Sequence, residues 1–353
     1  LHSLQPVPCN LVAFIQIPMR SLPSSEITHH MTKTLFIFPG QGAQYRGMGH
    51  DLFEDHDVVR HTYEEANDIL GYNIADASFL DPGKKLNLTR YAQPALLTHS
   101  IACLRLFTKQ LGENVRPSAV AGHSLGEYSA LVAAGSLDFS TALELVQKRG
   151  ELMGKFGQGE MEALSVPREI AEALALKHYC GVAACNLPEQ TVVGGLPDDL
   201  ARLVDDLKEL DPKKNSTRLK TEGAFHTYFM VEAANRFRPV LEAANVQPPS
   251  IQVLSNFTGS FHDSEPHSIR ARLFLQLFHP VLWYQNLEQA ARFGIDNIIE
   301  FGGGIGKGEH PNNKKPNLAG IVKRAFRRGD NPPEYHAVIN GETLAATVTA
   351  IAM

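Results

Sequence analysis

The sequence predicts an α/β protein built on a parallel sheet, and three observations lead to that prediction. Short apolar runs alternate with helical patterns, an order that produces parallel strands covered by helices on both faces. A Gly-x-Ser-x-Gly motif at residues 122–126 lies between one such run and a helix-forming segment. Near the middle of the chain the order becomes βαββαβ, which is typical of a ferredoxin-like subdomain.

The composition is that of an ordinary globular chain. It has 353 residues, 43% of them hydrophobic and 20% charged, which suits one large domain or a large and a small one. A formal net charge of -5 argues against a general nucleic-acid binder, because such proteins usually carry an excess of basic residues. No run approaches the roughly 18 apolar residues of a membrane helix. We therefore expect neither a nucleic-acid partner nor a membrane segment.

The N-terminal segment and the cysteines bear on the location of the protein. Residues 1–30 contain an apolar stretch at 11–18 that lacks a basic flank and a small-residue cleavage site, so it does not indicate a signal peptide. We expect residues 1–30 to be an extension outside the fold, and the protein to be cytoplasmic. The few, irregularly spaced cysteines favour reduced thiols over a metal site or a disulfide framework. They are Cys9, Cys103, Cys180 and Cys185.

The large subdomain is predicted from the alternation of strands and helices on either side of the middle segment. Its first element is a buried strand at 34–38, closed by a tight turn at 39–42. Further strands are predicted at 118–121, 251–255 and 297–301. Helices are predicted near 55–70, 94–111, 140–155, 228–244, 267–278 and 283–293. We assign residues 31–156 and 222–353 to this α/β subdomain.

The small subdomain is predicted at residues 157–221, where the pattern changes. Strands are expected at 161–166, 182–186, 190–194 and 216–219, with helices at 168–176 and 198–210. This is the βαββαβ order of a ferredoxin-like unit. Such an insertion would lie over the Gly-x-Ser-x-Gly turn and form one wall of a cleft.

A glycine-rich stretch at 302–308 suggests a phosphate-binding loop at first sight. The spacing from Gly302 to Lys307 is one residue short of that motif, and Gly308 stands where serine or threonine is required. The pattern therefore favours a flexible surface loop, whose lysines could still contact an anionic substrate.

The Gly-x-Ser-x-Gly motif predicts a nucleophile elbow, a sharp strand-to-helix turn that places a serine hydroxyl at the carboxyl edge of a sheet. Ser124 would be the nucleophile. An oxyanion hole would come from the backbone N–H of Leu125 and from a second N–H in a loop after another strand. The loop after the first strand is the natural donor, through the N–H of Gln41.

A serine at an elbow needs a base, and His226 is the candidate among the 15 histidines. It follows the last strand of the small subdomain, where the chain re-enters the main sheet. A histidine there could take the proton of Ser124 on attack and return it to the leaving group. Taken alone, His226 could equally be a structural histidine at a chain crossing. His123, next to the serine, is assigned to shaping the pocket or touching the substrate.

Five motifs in the same order and spacing resemble the malonyl-CoA:acyl carrier protein transacylases and the acyltransferase domains of polyketide synthases. The resemblance covers about residues 33 to 327. In that family an α/β-hydrolase-like large subdomain carries a ferredoxin-like insertion. The motifs are Phe38–Gln44, Gly122–Ala130, Gln147–Gly150, Ala224–His226 and His279–Trp283.

The resemblance implies roles for individual residues. Ser124 would become acylated, His226 would be the general base, and Gln41 and Leu125 would supply the oxyanion hole. Arg149 would bind the free carboxylate of the malonyl group, since a guanidinium pairs with a carboxylate through two parallel hydrogen bonds. Judged on spacing alone, Arg149 could instead be a helix-surface residue in a salt bridge.

Three further residues are placed in the cleft by the same resemblance. The main-chain carbonyl of Gln276 would orient the histidine, and Asn186 would line the cleft. Phe225 would occupy the space that an α-methyl group on the acyl chain needs.

The sequence departs from the family pattern at three places. Glu160 and Glu162 stand in a stretch where the family has small residues, so we expect two extra carboxylates near the cleft entrance. Gly194-Gly195 replaces a more usual Ser-Gly or Ala-Gly pair. The glycine-rich segment 302–317 is longer than the family loop.

The leading functional hypothesis is a freestanding acyltransferase that takes malonyl from malonyl-CoA, holds it as a serine ester and passes it to the phosphopantetheine thiol of an acyl carrier protein. It would bind no cofactor of its own, and we expect a monomer. An acyl hydrolase that clears carrier proteins is the alternative, and an inactive docking subunit on the same fold is a third. The sequence leaves open whether the product enters fatty-acid or polyketide synthesis.

Overall fold

A computed structural model gives the structure of residues 32–112, 115–327, 329 and 331–352. The predicted extension at 1–30 lies outside these residues. The strands are β1 (Thr34–Phe38), β2 (Ala119–Gly122), β3 (Glu160–Leu164), β4 (Gly181–Leu187), β5 (Gln190–Gly195), β6 (Ser216–Leu219), β7 (Gln252–Ser255), β8 (Ser260–Phe261), β9 (Asn297–Phe301) and β10 (Glu334–Val338).

The helices cover the faces of the main sheet or belong to the small subdomain. They are α1 (His50–Asp55), α2 (Asp57–Leu70), α3 (Ile74–Phe79), α4 (Thr89–Leu111), α5 (Gly126–Ala133), α6 (Phe139–Phe156), α7 (Arg168–Lys177), α8 (Pro197–Leu210), α9 (Val231–Ala243), α10 (Pro266–Gln276), α11 (Trp283–Phe293), α12 (Ala319–Ala325) and α13 (Gly341–Ala352).

The main sheet confirms the predicted α/β fold with a parallel sheet. Its strand order within the described residues is β10-β9-β1-β2-β7-β8. All neighbours are parallel except β7 and β8, which form an antiparallel pair at one edge. Every residue of β1 and β2 is buried, as expected for strands covered on both faces. The carboxyl ends of β1, β2 and β7 therefore meet at one edge of the sheet.

Aromatic residues fill the space between the sheet and helix α4. The ring of Phe36 lies 5.9 Å from that of Phe107 and 4.8 Å from that of Phe301, both in edge-to-face geometry. Phe107 and Phe301 are themselves 5.3 Å apart. Such pairs add to the free energy gained from burying apolar area. This cluster fixes β1, and hence the turn after it, against β9.

The inserted subdomain has the predicted ferredoxin-like topology. Its four strands form an antiparallel sheet in the order β4-β5-β3-β6, with α7 and α8 packed on one face. The assignment of 157–221 to this unit, and of 31–156 and 222–353 to the other, stays a prediction. The C-terminal pair β10 and α13 was not predicted, because β10 is short and half polar and so resembles a loop in sequence.

The expectation of two extra carboxylates near the cleft entrance is wrong. Side chains alternate between the faces of a strand, and on β3 it is Met161 that faces the cleft. Glu160 and Glu162 lie on the opposite face, where their carboxylates lie 2.9 Å and 3.0 Å from the guanidinium of Arg218 on β6. They are part of the small subdomain's structure and do not line the cleft.

Glu300 on β9 anchors the chain segment that leads into α12. Its buried carboxylate accepts the backbone N–H of Asn317 at 2.7 Å and that of Leu318 at 2.9 Å, together with the hydroxyl of Tyr335. Burial raises the pKa of Glu300 to about 7, although these hydrogen bonds act in the opposite direction. Since Asn317 and Leu318 line the cleft, Glu300 supports one of its walls.

This raised pKa predicts a pH-dependent term in stability. The pKa of Glu300 in the folded protein lies above its unfolded value of about 4.3, so folding is accompanied by proton uptake at any pH between the two pKa values. The contribution of Glu300 to the free energy of unfolding is therefore lost as the pH rises toward about 7. We expect the wild type to lose about 1–3 kcal/mol of unfolding free energy relative to Glu300→Gln between about pH 5 and about pH 8. Urea unfolding of both proteins across this range measures the difference. A difference that does not change with pH would contradict the prediction.

Candidate active site

The turn between β2 and α5 holds Ser124 in a conformation that few non-glycine residues adopt. Its φ is 52°, in the left-handed region. The flanking glycines are required by close backbone approach: a Cβ at Gly122 would lie 1.8 Å from the carbonyl carbon of Gly126, and one at Gly126 would lie 2.2 Å from the carbonyl oxygen of Phe38. The predicted nucleophile elbow therefore has its expected geometry, at the carboxyl end of β2.

The Ser124 hydroxyl and the His226 ring form a hydrogen-bonded pair. Ser124 Oγ lies 2.7 Å from His226 Nε2, and His226 Nδ1 lies 2.7 Å from the main-chain oxygen of Gln276. A carbonyl oxygen only accepts, so Nδ1 carries the ring proton and Nε2 accepts the serine proton. The same histidine donates its backbone N–H to the carbonyl of Leu277 at 3.1 Å. Both acceptors are carbonyls at the C-terminal end of α10, where a helix leaves such groups without internal partners.

His226 is neutral at physiological pH. Burial, followed by the positive charge of Arg149, lowers the pKa of His226 to about 3. A neutral imidazole that already accepts a hydrogen bond from a hydroxyl can take its proton as the oxygen attacks. The arrangement is the one that a serine nucleophile and its base require.

Arg149 projects from α6 into the same buried site, which excludes the alternative of a salt bridge on the helix surface. It is 0% exposed, and its Nη2 lies 3.2 Å from Ser124 Oγ and 3.1 Å from Gln276 Oε1. Burial lowers the pKa of Arg149, while Tyr128 and Glu127 act to raise it. Among the described residues no carboxylate oxygen lies within 4.0 Å of its guanidinium, and its Nε has no hydrogen-bond partner. A buried cation with donors to spare is suited to an anionic group brought by a substrate.

The two predicted oxyanion-hole donors follow the ends of neighbouring parallel strands. Gln41 lies in the turn after β1, and Leu125 precedes the first residue of α5. Within the described part of the chain, neither backbone N–H donates a hydrogen bond. The Gln41 side chain is fixed by a 3.1 Å bond from its Nε2 to Thr89 Oγ1. Both N–H groups are thus available to an oxyanion.

A cleft of about 510 Å³ opens onto Ser124 and His226 between the two subdomains. His123 and Asn186 line it together, with His123 Nε2 2.9 Å from Asn186 Oδ1. Phe225 lines it beside His226 and is 5% exposed. Apolar side chains from both subdomains complete the walls: Met161, Val192, Leu219, Leu318 and Ile321. Such a channel suits a long, mostly uncharged chain that ends at the serine.

Three residues of the site were not found from the sequence. Asn256 accepts the Ser124 backbone N–H at 2.6 Å and donates to the Gly122 carbonyl at 2.6 Å. Glu127 and His262 form a buried pair, with His262 Nε2 2.7 Å from Glu127 Oε1. A polar residue directly after a strand that borders β2 is a usable signal, and it would have identified Asn256. His262 carries no such signal, because its place follows from the fold alone.

The long glycine-rich segment folds on itself next to the site. Ile305 and Lys315 pair through an antiparallel β-bridge of their backbones. The Nζ of Lys314 donates to the Gly306 carbonyl at 3.0 Å and lies 4.5 Å from the centre of the Tyr45 ring. Lys307 and Lys315 are exposed, and neither is among the residues that line the cleft. The described residues contain no cluster of three or more potential metal ligands.

The comparisons with known proteins agree with this geometry. Residues 35–299 match the model of the acyl transferase domain. The chain belongs to the acyl transferase family. The malonyl CoA-acyl carrier protein transacylase of Bacillus subtilis is 35% identical to it over 84% of this chain and 92% of that protein. A polyketide biosynthesis malonyl CoA-acyl carrier protein transacylase of the same bacterium is 36% identical over 76% of this chain and 92% of its own length.

Solved acyl transferase structures have the same two-subdomain fold, which confirms the α/β-hydrolase-like subdomain with its ferredoxin-like insertion. The malonyl transacylase of Streptococcus pneumoniae superposes with a TM-score of 0.79 at 33% identity, covering 90% of this chain and 100% of that one. A malonyl-transacylase solved in complex with its type II polyketide acyl carrier protein superposes with a TM-score of 0.80 at 30% identity, again covering 90% of this chain and 100% of that one. In the described part of this acyl transferase, no helix is long and apolar enough to cross a membrane.

Proposed function

We propose that this acyl transferase moves a malonyl group from malonyl-CoA to the phosphopantetheine thiol of an acyl carrier protein, through an ester on Ser124. The observation that carries the proposal is the buried guanidinium of Arg149, 3.2 Å from the Ser124 hydroxyl. The names of the relatives and of the solved structures support the same substrate and the same partner.

In the first half-reaction, Ser124 Oγ attacks the thioester carbonyl of malonyl-CoA. His226 Nε2 takes the hydroxyl proton, and the N–H groups of Gln41 and Leu125 receive the developing oxyanion. Collapse of the tetrahedral species breaks the C–S bond, and the imidazolium returns its proton to the departing CoA thiolate. The malonyl-serine ester and free CoA result.

The second half-reaction is the same chemistry with the carrier as nucleophile. His226 accepts the proton of the phosphopantetheine thiol, the thiolate attacks the ester carbonyl, and the serine oxygen leaves with that proton. No oxidant or metal enters either half. The cleft, lined by His123, Asn186 and Phe225, would hold the acyl group and the pantetheine arm that CoA and the carrier share.

Arg149 separates malonyl transfer from the alternative of acyl hydrolysis. A hydrolase for unsubstituted acyl chains has no use for a buried cation beside its nucleophile, whereas a malonyl group brings a carboxylate that pairs with it. Phe225 would exclude an α-methyl group, which favours malonyl over methylmalonyl. We also propose that the enzyme acts in the cytoplasm as a monomer with the carrier as its protein partner.

The test is the substrate dependence of Arg149→Ala. Because the substitution leaves the malonyl carboxylate without its partner in a desolvated site, we expect kcat/KM for malonyl-CoA to fall by about 2–5 kcal/mol in transition-state free energy. Acetyl-CoA has no carboxylate and should lose little or gain. Steady-state transfer to a carrier protein measures both.

Arg105→Ala provides the matched control, since Arg105 pairs with Glu65 at 2.6 Å and is not among the cleft-lining residues. This variant should keep the wild-type preference. Equal losses with malonyl-CoA and acetyl-CoA in Arg149→Ala would mean that the arginine only supports structure, and the malonyl assignment would be wrong.

A further inference from the structure

A buried carboxylate that the proposed mechanism does not use lies directly behind the nucleophile turn. Glu127, in the first turn of α5, is 0% exposed. Three N–H donors converge on it: His262 Nε2 and Gln276 Nε2, each at 2.7 Å, and the backbone N–H of Asn256 at 3.1 Å. A buried carboxylate that accepts three hydrogen bonds is held in one position, because each bond restrains the geometry of the other two.

Gln276 connects this carboxylate to the groups that would perform the reaction. Its Nε2 also donates to the Ser124 carbonyl at 3.0 Å, and its Oε1 accepts from Arg149 at 3.1 Å. Its own main-chain carbonyl orients the ring of His226. The amide therefore lies between the negative charge of Glu127 and the positive charge of Arg149, two fully buried charges that have no direct contact.

Asn256 makes the second connection, to the backbone of the elbow. With its N–H held by Glu127, its side chain bonds to the N–H of Ser124 and to the carbonyl of Gly122, each at 2.6 Å. The left-handed conformation of Ser124 is unfavourable for a residue with a side chain and persists only where its surroundings impose it. The two Asn256 bonds, together with the bond from Gln276 to the Ser124 carbonyl, restrain this conformation.

We propose that Glu127 is a positioning residue for acyl transfer. Through Gln276 and Asn256 it sets the relative positions of Ser124, His226 and Arg149, and His262 is the third of the donors that fix Glu127 itself. The inference rests on the proposed roles of Ser124 and His226. Glu127 would then be an acidic residue that acts on Ser124 and His226 through Gln276 and Asn256, without touching the histidine.

The first test compares Glu127→Gln with Glu162→Gln. The substitution at 127 keeps the size of the side chain but removes the charge and points an amide donor at other donors. Misplacement of reacting groups by about 1 Å costs on the order of 100-fold, so we expect kcat for malonyl transfer to fall about 10- to 100-fold while KM changes by less than about 3-fold. Glu162, another buried carboxylate with a basic partner, lies away from the cleft, and its variant should match the wild type.

A second readout does not depend on the acyl substrate. The rate at which a fluorophosphonate probe labels Ser124 reports the Ser124–His226 pair alone, and it should fall in parallel with kcat for Glu127→Gln. If wild type labels normally but does not accept malonyl, the proposed function fails while the positioning role is still tested. Labelling of Glu127→Gln at the rate of Glu162→Gln would overturn the inference, as would a loss confined to KM.

A pair of variants at His262 keeps the test decisive if Glu127→Gln does not fold. Glutamine can still donate an N–H toward Glu127, whereas leucine cannot. We expect His262→Gln to retain labelling within about 3-fold of wild type and His262→Leu to lose about 10-fold, the difference being the missing donor. Equal labelling rates for the two folded variants would overturn the proposal.

Discussion

We expect Ser124→Ala to abolish both the covalent malonyl adduct and transfer to the carrier, because without the hydroxyl no ester can form and the two-step route cannot begin. This is the largest effect expected for any single substitution in the chain. Intact-mass spectrometry after incubation with malonyl-CoA detects the adduct directly, and radiolabelled malonyl-CoA follows transfer. The expectation depends on the 2.7 Å contact between Ser124 Oγ and His226 Nε2, which marks this hydroxyl as the activated one.

The matched control is Ser136→Ala. Ser136 is fully buried, its hydroxyl donates to the carbonyl of Gln247 at 2.7 Å, and it does not line the cleft. That variant should acquire the adduct as the wild type does. A malonyl adduct on the Ser124→Ala protein would mean that another group is the nucleophile.

His226→Ala should slow malonyl-enzyme formation by about two to four orders of magnitude, which is the usual contribution of a positioned general base. The protein should stay folded. Among the described residues no carboxylate is hydrogen-bonded to the ring, whose Nδ1–H is donated to a main-chain carbonyl, so we expect no acidic group in contact with His226 to share its role. Rapid-quench measurement of a single turnover isolates this step from carrier binding.

His178→Ala serves as the comparison for the base. The His178 ring is mostly buried and bonded to Asp206 at 2.6 Å in the small subdomain, so its loss tests the general cost of removing a buried histidine. Near-normal acylation in His226→Ala would require a different base to be found. A similar loss in both variants would point to structural damage.

Much of the fold could be predicted because local pattern and tertiary structure agree. The buried run at 34–38 and the βαββαβ order carry their own signals, in continuous apolar strands and in the spacing of helices between them. The strand β10 has no such signal, since Glu334 and His336 interrupt it and its pairing with β9 is a long-range event. The orientation of Glu160 and Glu162 was missed because the resemblance gave their place in the chain but not which face of β3 they occupy.

The site shows the same division. Residues that stand in motifs, such as Ser124 and Arg149, could be named from the sequence, and the distances between them have the values that the chemistry needs. Glu127 stands inside the motif, but the sequence pattern predicts only a place in a helix for it. Its role depends on Asn256 and His262, which are more than a hundred residues away in the chain and reach it only after folding.

The acceptor that orients His226 belongs to the backbone, and this has a consequence for how the enzyme can vary. A single substitution can remove the hydroxyl of Ser124, the imidazole of His226 or the guanidinium of Arg149, but no substitution can remove the main-chain carbonyl of residue 276. What mutation can do is move it, by loosening the end of α10, where Leu277 is completely buried. The orientation of the His226 ring therefore depends on the packing around a helix terminus. Apolar substitutions in that packing could disturb it without altering any reacting group.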